Sequence, residues 1–320
     1  MKPWTRCHPK KQKLKALAFV AALATSVSLA GCASGGSVAD EGEASGGNFP
    51  VSVKGAAGKV TLKSKPDKIV SLSPTGTEML YAVGAGKQVV AADDQSTYPK
   101  QAPRTKLSGF KPNADAVAGY EPDLVVLAYD ANDVVSGLKK LKIPVYVAPA
   151  AESLEDSYQQ MENLGKLTGH TGGATDAVDQ MKSDIDKLVK DLPQRDEELT
   201  YYHELDPQLN SATSKTFIGE VYGLAGLKNI ADSADKEGSG YPQLSAEHLI
   251  DSDPDLVFLA DTKCCGQSPE KVADRPGWDK LTAVKQGQVH ALDDDIASRW
   301  GPRVVDLLRV VSEAVAAVPA

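Results

Sequence analysis

The ten residues EPDLVVLAYD at 121–130 return as DPDLVFLADT at 253–262, 132 positions further along the chain, with six of the ten unchanged. In both copies a proline leads into an unbroken apolar run. A strand with one wet face alternates apolar and polar residues, whereas a strand apolar at every position is covered on both sides, as in the interior of a parallel sheet. Ahead of each copy stands a segment with apolar residues at helical spacing and a capping residue at its start, Asn113 in NADAVAGYE and Ser245 in LSAEHLIDSD. Behind each copy, a helix-length stretch leads to a further short apolar segment, IPVYVAP at 143–149 and GQVHALD at 287–293. The likeness also reaches upstream, where YAVGAGKQVVA (81–91) is echoed by YGLAGLKNIA (222–231). The repeated object is therefore a whole unit of alternating strands and helices, with parallel-rich sheets and right-handed crossovers.

Between the two copies, GGATDAVDQMKSDIDKLVKDLP places Val178, Met181, Ile185, Leu188, Val189 and Leu192 three and four apart, the stripe of one long amphipathic helix that Pro193 stops. About 20 residues at 1.5 Å each span roughly 30 Å, enough to join two lobes side by side. The predicted fold is α/β: two Rossmann-like lobes, 49–170 and 194–320, joined by one connecting helix, 171–193. A helical bridge resists bending, so lobe closure is expected to be modest. The segment VSVKGAAGKVTLKS at 51–64 alternates around a glycine-containing turn and predicts a hairpin.

The first 31 residues are of another kind. They carry six basic residues, no acid and the apolar run ALAFVAALA, which is short for a bilayer span and reads as an export leader. Leu29, Ala30 and Gly31 before Cys32 resemble the lipobox of bacterial lipoproteins, in which the cysteine is acylated and holds the protein on the membrane surface. Residues 32–48, rich in Gly, Ser and acid, predict a flexible tether. Without the leader, 29 basic residues face 43 acidic ones, a net charge of −14, so nucleic acid is not an expected partner.

The sequences IVSLSPTGTEMLYAVGAG, STYPKQAP, the two PDLV strands, YPQLSAEHL, GWDKLTAVKQGQV and DDDIASRWGPR together resemble the ABC-importer substrate-binding lipoproteins that carry vitamin B12, iron-siderophores or haem. The resemblance covers nearly all of residues 50–320 and is closest to the cobalamin-binding members. It implies the helical-backbone periplasmic binding protein fold, with ligand in the cleft between lobes. It also implies a permease and its ATPase as partners, a metal chelate as ligand, a monomer, and a location on the outer face of the cytoplasmic membrane.

Individual residues carry further expectations. Asp115 and Glu247 each stand seven residues before the proline of a PDLV strand, and the resemblance assigns both to permease docking. Near the start of a helix a carboxylate also complements the helix dipole, and the two roles are compatible. Phe110, Tyr129 and Tyr241 fall where cobalamin binders set aromatic side chains around the ligand, though tyrosine replaces tryptophan at 129 and 241, and Gln95 stands where a tyrosine is usual. Asp295 and Arg299 match cleft residues that hydrogen-bond ligand amides, and could equally form a simple i, i+4 ion pair. His203 or Tyr202, at the end of a C-terminal-lobe strand, are candidates to touch ligand. Cys264 and Cys265 in KCC admit a strained vicinal disulfide as first expectation, with free thiols or a soft-metal contact as alternatives.

Catalytic signatures fail: GAGKQ and GAAGKV lack the residues of a phosphate loop, and neither G-x-S-x-G nor H-E-x-x-H occurs. The four histidines beyond the leader are not grouped like a zinc site. No enzyme activity, cofactor or resident metal is expected. A trianionic catecholate complex would want several cleft arginines, so a corrinoid or a neutral or cationic hydroxamate is the expected cargo. The alternatives are a haem receptor using His203 or Tyr202 as axial ligand, and a chelatase or hydrolase on a related two-lobed frame.

Overall fold

The computed structural model describes residues 48–319. The export leader, Cys32 and the tether up to residue 47 lie outside the described residues. Among the described residues no helix is long and apolar enough to cross a membrane.

The chain opens with an antiparallel hairpin, β1 (Val51–Gly55) and β2 (Gly58–Leu62), with Val53 opposite Val60. Two separate four-stranded sheets follow, every pairing in them parallel. The first contains β3 (Ile69–Leu72), β4 (Val89–Ala92), β5 (Leu124–Leu127) and β6 (Val145–Val147), in the order β4-β3-β5-β6. The second contains β7 (Thr200–Glu204), β8 (Lys228–Asn229), β9 (Leu256–Leu259) and β10 (Val289–Ala291), in the order β8-β7-β9-β10. In both sheets the first strand of the lobe is flanked by the second and the third, and the fourth lies outside the third. The twin PDLV segments supply the third strand each time, and all four residues of β5 and of β9 are buried, as strands covered on both faces must be.

The connecting helix runs Thr171–Lys190, with Pro193 three residues beyond. It does not stand alone. Helix Leu154–Thr168 packs along it after a reversal at Gly169, whose φ of +74° is the left-handed conformation that glycine adopts at little cost. One hydrophobic cluster takes residues from both lobes: Met79 and Leu80, Met161 and Leu164, Val178 and Met181, Val221 and Tyr222, Leu308 and Val311. The outer face of each sheet has its own core, Val70, Val125 and Leu138 in one lobe, Val257, Leu249 and Trp278 in the other. The lobes thus share an interior as well as a bridge. Hinging them apart would expose packed apolar surface at about 25 cal/mol per Å2, which opposes large opening more strongly than the stiffness of a single helix.

The second sheet corrects an expectation. β7 is a central strand, so both of its faces are covered. Tyr201 and His203 point to the face capped by helix Phe217–Leu224, where Tyr222 stacks on Tyr201 at 4.2 Å and its hydroxyl meets His203 Nδ1 at 2.8 Å. Tyr202 points to the opposite face, edge-on to Trp278. Both His203 and Tyr202 are 0% exposed and neither reaches the cleft. Burial lowers the His203 imidazole to about 4, so it is neutral and structural.

Candidate functional site

Open α/β sheets offer ligands the space beyond the carboxyl ends of their strands. In the first lobe all four ends converge on one cavity of about 540 Å3, lined by Ser73 after β3, Gln95 after β4, Ala128 and Tyr129 after β5, and Pro149 and Ala150 after β6. The second lobe closes it with Asp295, Ser298, Arg299 and Trp300. Phe110 completes the wall: its neighbour Gly109 passes so close to β3 that a Cβ there would stand 2.6 Å from the Leu72 carbonyl oxygen, a contact only glycine escapes. Phe110 and Tyr129 are 68% and 46% exposed, with ring centroids 6.4 Å apart. Two large rings left in solvent beside one another, facing an indole, form a surface suited to a flat or bulky apolar solute.

Beneath the rim a buried hydroxyl network fixes the frame. Thr77 Oγ1 lies 2.9 Å from Ser71 Oγ and 2.8 Å from Ser96 Oγ, and Ser96 donates to Asp93 Oδ1 at 2.7 Å. Burial pushes the Asp93 carboxyl above its ordinary range. Ser73 caps helix Pro74–Ala82 by accepting the Gly76 N–H at 3.0 Å, with proline in its first turn.

At the seam of the lobes Arg299 donates to Glu78 Oε1 at 2.7 Å, to Asp295 Oδ1 at 2.7 Å and to the Gln95 carbonyl at 3.1 Å. Arg303 grips the same Glu78 through Nε at 2.8 Å and Nη2 at 2.7 Å. The Glu78 side chain is 1% exposed and those of Arg299 and Arg303 are 8% and 14% exposed. Trp300 ties the same segment to helix Leu154–Thr168, its indole N–H donating to Gln160 Oε1 at 2.9 Å while its carbonyl accepts from Ser157 Oγ.

Phe110, Tyr129, Asp295 and Arg299 are therefore brought together at one cavity. Tyr241 is not: it sits 53% exposed in a second-lobe loop and is absent from the lining. His203 is likewise excluded. Cys264 and Cys265, the anticipated vicinal pair, stand as free, exposed thiols with Sγ atoms 2.8 Å apart. Cys265, followed by burial and nearby carboxylates, holds the Cys264 thiol up to about 12. The loop they ride on touches the site, since Lys263 Nζ reaches Asp293 at 2.6 Å and Asp295 at 3.1 Å. Asp115 and Glu247 are both exposed in the first turn of equivalent helices, Ala114–Ala118 capped by Asn113 and Ala246–Ser252 capped by Ser245. Glu78 and Trp300 escaped the sequence reading, although both lie inside motifs quoted above.

The corresponding place in the second lobe is filled by charge instead of space. Arg275 holds Glu204 through two 2.6 Å hydrogen bonds, and Asp261, just beyond β9, is 0% exposed beside them. Burial first, and the Glu204 charge second, raise the Asp261 carboxyl to about 7. Because that lies above the unfolded value near 3.9, the native state keeps a proton that the unfolded chain releases. The stability this contributes is complete below about pH 4 and is lost as pH rises to about 7, at up to about 1.4 kcal/mol per pH unit. Asp261→Asn is expected to remove that loss. Urea unfolding of both proteins across this range should show the variant's relative advantage growing with pH up to about 7 and level beyond it.

Two lobes with aromatic and hydrogen-bonding groups facing a shared cavity define a solute receptor, and the comparisons agree. The chain belongs to the periplasmic binding protein family, whose pattern matches residues 69–296. It is 31% identical over 318 residues to an uncharacterised ABC transporter substrate-binding lipoprotein, YvrC, of Bacillus subtilis, spanning 95% of this chain and 98% of that one. A cobalamin-binding protein of Halobacterium salinarum is 30% identical over 269 residues, 81% of this chain and 72% of its own. Among solved structures, the periplasmic vitamin B12 binding protein BtuF of Vibrio cholerae superposes with a TM-score of 0.65 at 25% identity, covering 78% of this chain and 97% of that one. These relatives are binding proteins by name, not enzymes.

Proposed function

We propose that this chain is the cargo-capturing lipoprotein of an ABC importer. Anchored through Cys32 to the outer face of the cytoplasmic membrane, it takes a bulky metal chelate as a monomer and passes it to the permease and its ATPase. A corrinoid is the first choice of ligand and a neutral or cationic hydroxamate siderophore the second. The observation that carries this reading is the exposed pair Phe110 and Tyr129 facing Trp300 across a cavity whose one guanidinium, Arg299, is already bound to carboxylates. The names of the cobalamin-binding relatives support the corrinoid. Haem fares less well, because His203 and Tyr202 are enclosed in the core and Tyr129 is the phenol that remains at the cavity. Equilibrium dialysis at micromolar concentrations with cyanocobalamin, ferrioxamine B, a ferric tris-catecholate and haem tests it. Saturable one-to-one binding of cyanocobalamin or ferrioxamine B is expected, and failure of all four to bind overturns the assignment.

Asp115 and Glu247 are the proposed contacts to the permease, one on each lobe. Rim charges steer and register partners, so reversing both with Asp115→Lys and Glu247→Lys is expected to leave chelate affinity unchanged while abolishing uptake in whole cells. Normal uptake by the double variant would remove the docking role.

A further inference from the structure

We propose that Glu78 is a specificity-determining residue: from behind the cavity wall it offsets one of the two positive charges of Arg299 and Arg303, Asp295 offsetting the other, so that the site rejects polyanionic chelates. This rests on the chelate-binding reading above and concerns which charge class of chelate the same cavity accepts.

Arg299 and Asp295 are the charged side chains lining the cavity. Taken alone they form a neutral pair. Immediately behind them stand Glu78 and Arg303, again one of each sign, hydrogen-bonded to one another at 2.7 and 2.8 Å. Lys263 brings a third cation against Asp295, and Asp293 a further carboxylate at 2.6 Å. Asp294 completes the group: its carboxylate accepts the N–H groups of Lys263 and Cys264, which are uncharged partners. Three cations are thus set among four carboxylates, and the floor is net negative by one charge. The helix Pro74–Ala82, whose N-terminus opens on the cavity, does little to offset this. Proline in its first turn has no N–H to give, and Ser73 already takes the N–H of Gly76.

Without Glu78 the group loses its excess negative charge and becomes neutral, three cations against three carboxylates. Arg299 Nη1 would be released from its 2.7 Å partner, and Arg303 would lose the one carboxylate it pairs with among the described residues. A guanidinium aimed at a cavity with an unspent N–H is what binds an anionic oxygen. The acid that prevents this is 3% exposed, cannot touch ligand, and acts only through the arginines. It is a positioning residue whose effect should be read as selectivity.

One unit of charge on the wall acting at about 8 Å through an effective dielectric of about 40 changes affinity by about fivefold per unit of ligand charge, hence by about a hundredfold for a trianion. The experiment measures binding of cyanocobalamin (uncharged), ferrioxamine B (cationic) and a ferric tris-catecholate (trianionic) to the full chain and to Glu78→Gln. The expected result is a gain of about a hundredfold in the catecholate-to-cobalamin affinity ratio, with ferrioxamine B weakened about fivefold. Asp295→Asn, at a side chain 31% exposed, should move the ratio in the same direction if Glu78→Gln does not fold. On the unaltered protein, added salt should favour the trianion relative to cyanocobalamin. An unchanged ratio in the variants and under salt, or an equal weakening of all three ligands, overturns the proposal while leaving the chelate reading intact. Absence of binding by every probe to the unaltered protein sinks the chelate reading itself.

Discussion

Glu78→Ala is expected to cost about 3–5 kcal/mol of folding free energy, the loss seen when one member of a buried ion network is removed and its partners stay behind. Two guanidiniums, 8% and 14% exposed, would be left without their shared carboxylate. Arg299 would keep Asp295 at 2.7 Å, but Arg303 would retain only its stacking over the Tyr98 ring at 4.5 Å. The penalty is large because it lies at the seam. Glu78 comes from the helix after β3 and both arginines from the segment after β10, so the contact holds one lobe to the other. Arg303→Met provides the comparison: it leaves the Glu78–Arg299 pair in place and should cost clearly less. Guanidinium unfolding of the three proteins, with equal denaturant slopes, checks the order. A loss below about 1 kcal/mol for Glu78→Ala would mean that water reaches the seam and screens it, as at surface pairs.

The second large effect concerns ligand. Phe110→Ala and Tyr129→Ala each remove an aromatic face that a bound chelate would cover. At about 25 cal/mol per Å2, covering roughly 70 Å2 of each ring is worth about 2 kcal/mol, near thirtyfold in Kd for either change and several hundredfold for both if they add. Because the rings are 68% and 46% exposed in the free protein, folding stability should move little, so affinity and stability separate cleanly. Trp300→Ala should lose both, since its indole also bonds Gln160. Tyr241→Ala is expected to leave affinity unchanged. A drop comparable to that of Tyr129→Ala would place the ligand deeper into the second lobe than the cavity reaches.

The two-lobed plan was legible because duplication and periodicity are local signals. The twin PDLV runs marked a strand covered on both faces in each lobe, Val178, Met181 and Ile185 traced the connecting helix, and Asn113 and Ser245 marked helix starts at their observed places. What escaped were relations between distant segments. Glu78 reads as an ordinary acid on a short helix, and nothing near it announces a partner more than two hundred residues away. Arg299 shows only its i, i+4 neighbour Asp295 as a local partner, and Glu78 is the one the sequence hides. His203 and Glu204 look, as polar residues near a strand end, like groups bound for solvent. Yet β7 lies between β8 and β9, and inside the lobe Tyr222 meets His203 Nδ1 while Arg275 holds Glu204. Periodicity reports that a face is covered; it does not report what covers it. Tyr241 is the same failure in reverse, an aromatic residue in a glycine-rich loop whose direction no local pattern fixes.

The central claim, that a metal chelate seats against Phe110, Tyr129 and Trp300 between the lobes, is tested most directly by making Trp300 the sole tryptophan. The chain has three, and the double variant Trp4→Phe, Trp278→Phe leaves only the one at the cavity. Titration with cyanocobalamin or ferrioxamine B should quench its emission saturably, with one ligand per protein, and the quench should weaken when Phe110 and Tyr129 become alanine. Chelate binding that leaves Trp300 emission unchanged, or a quench indifferent to the loss of both rings, would place the ligand elsewhere on the molecule.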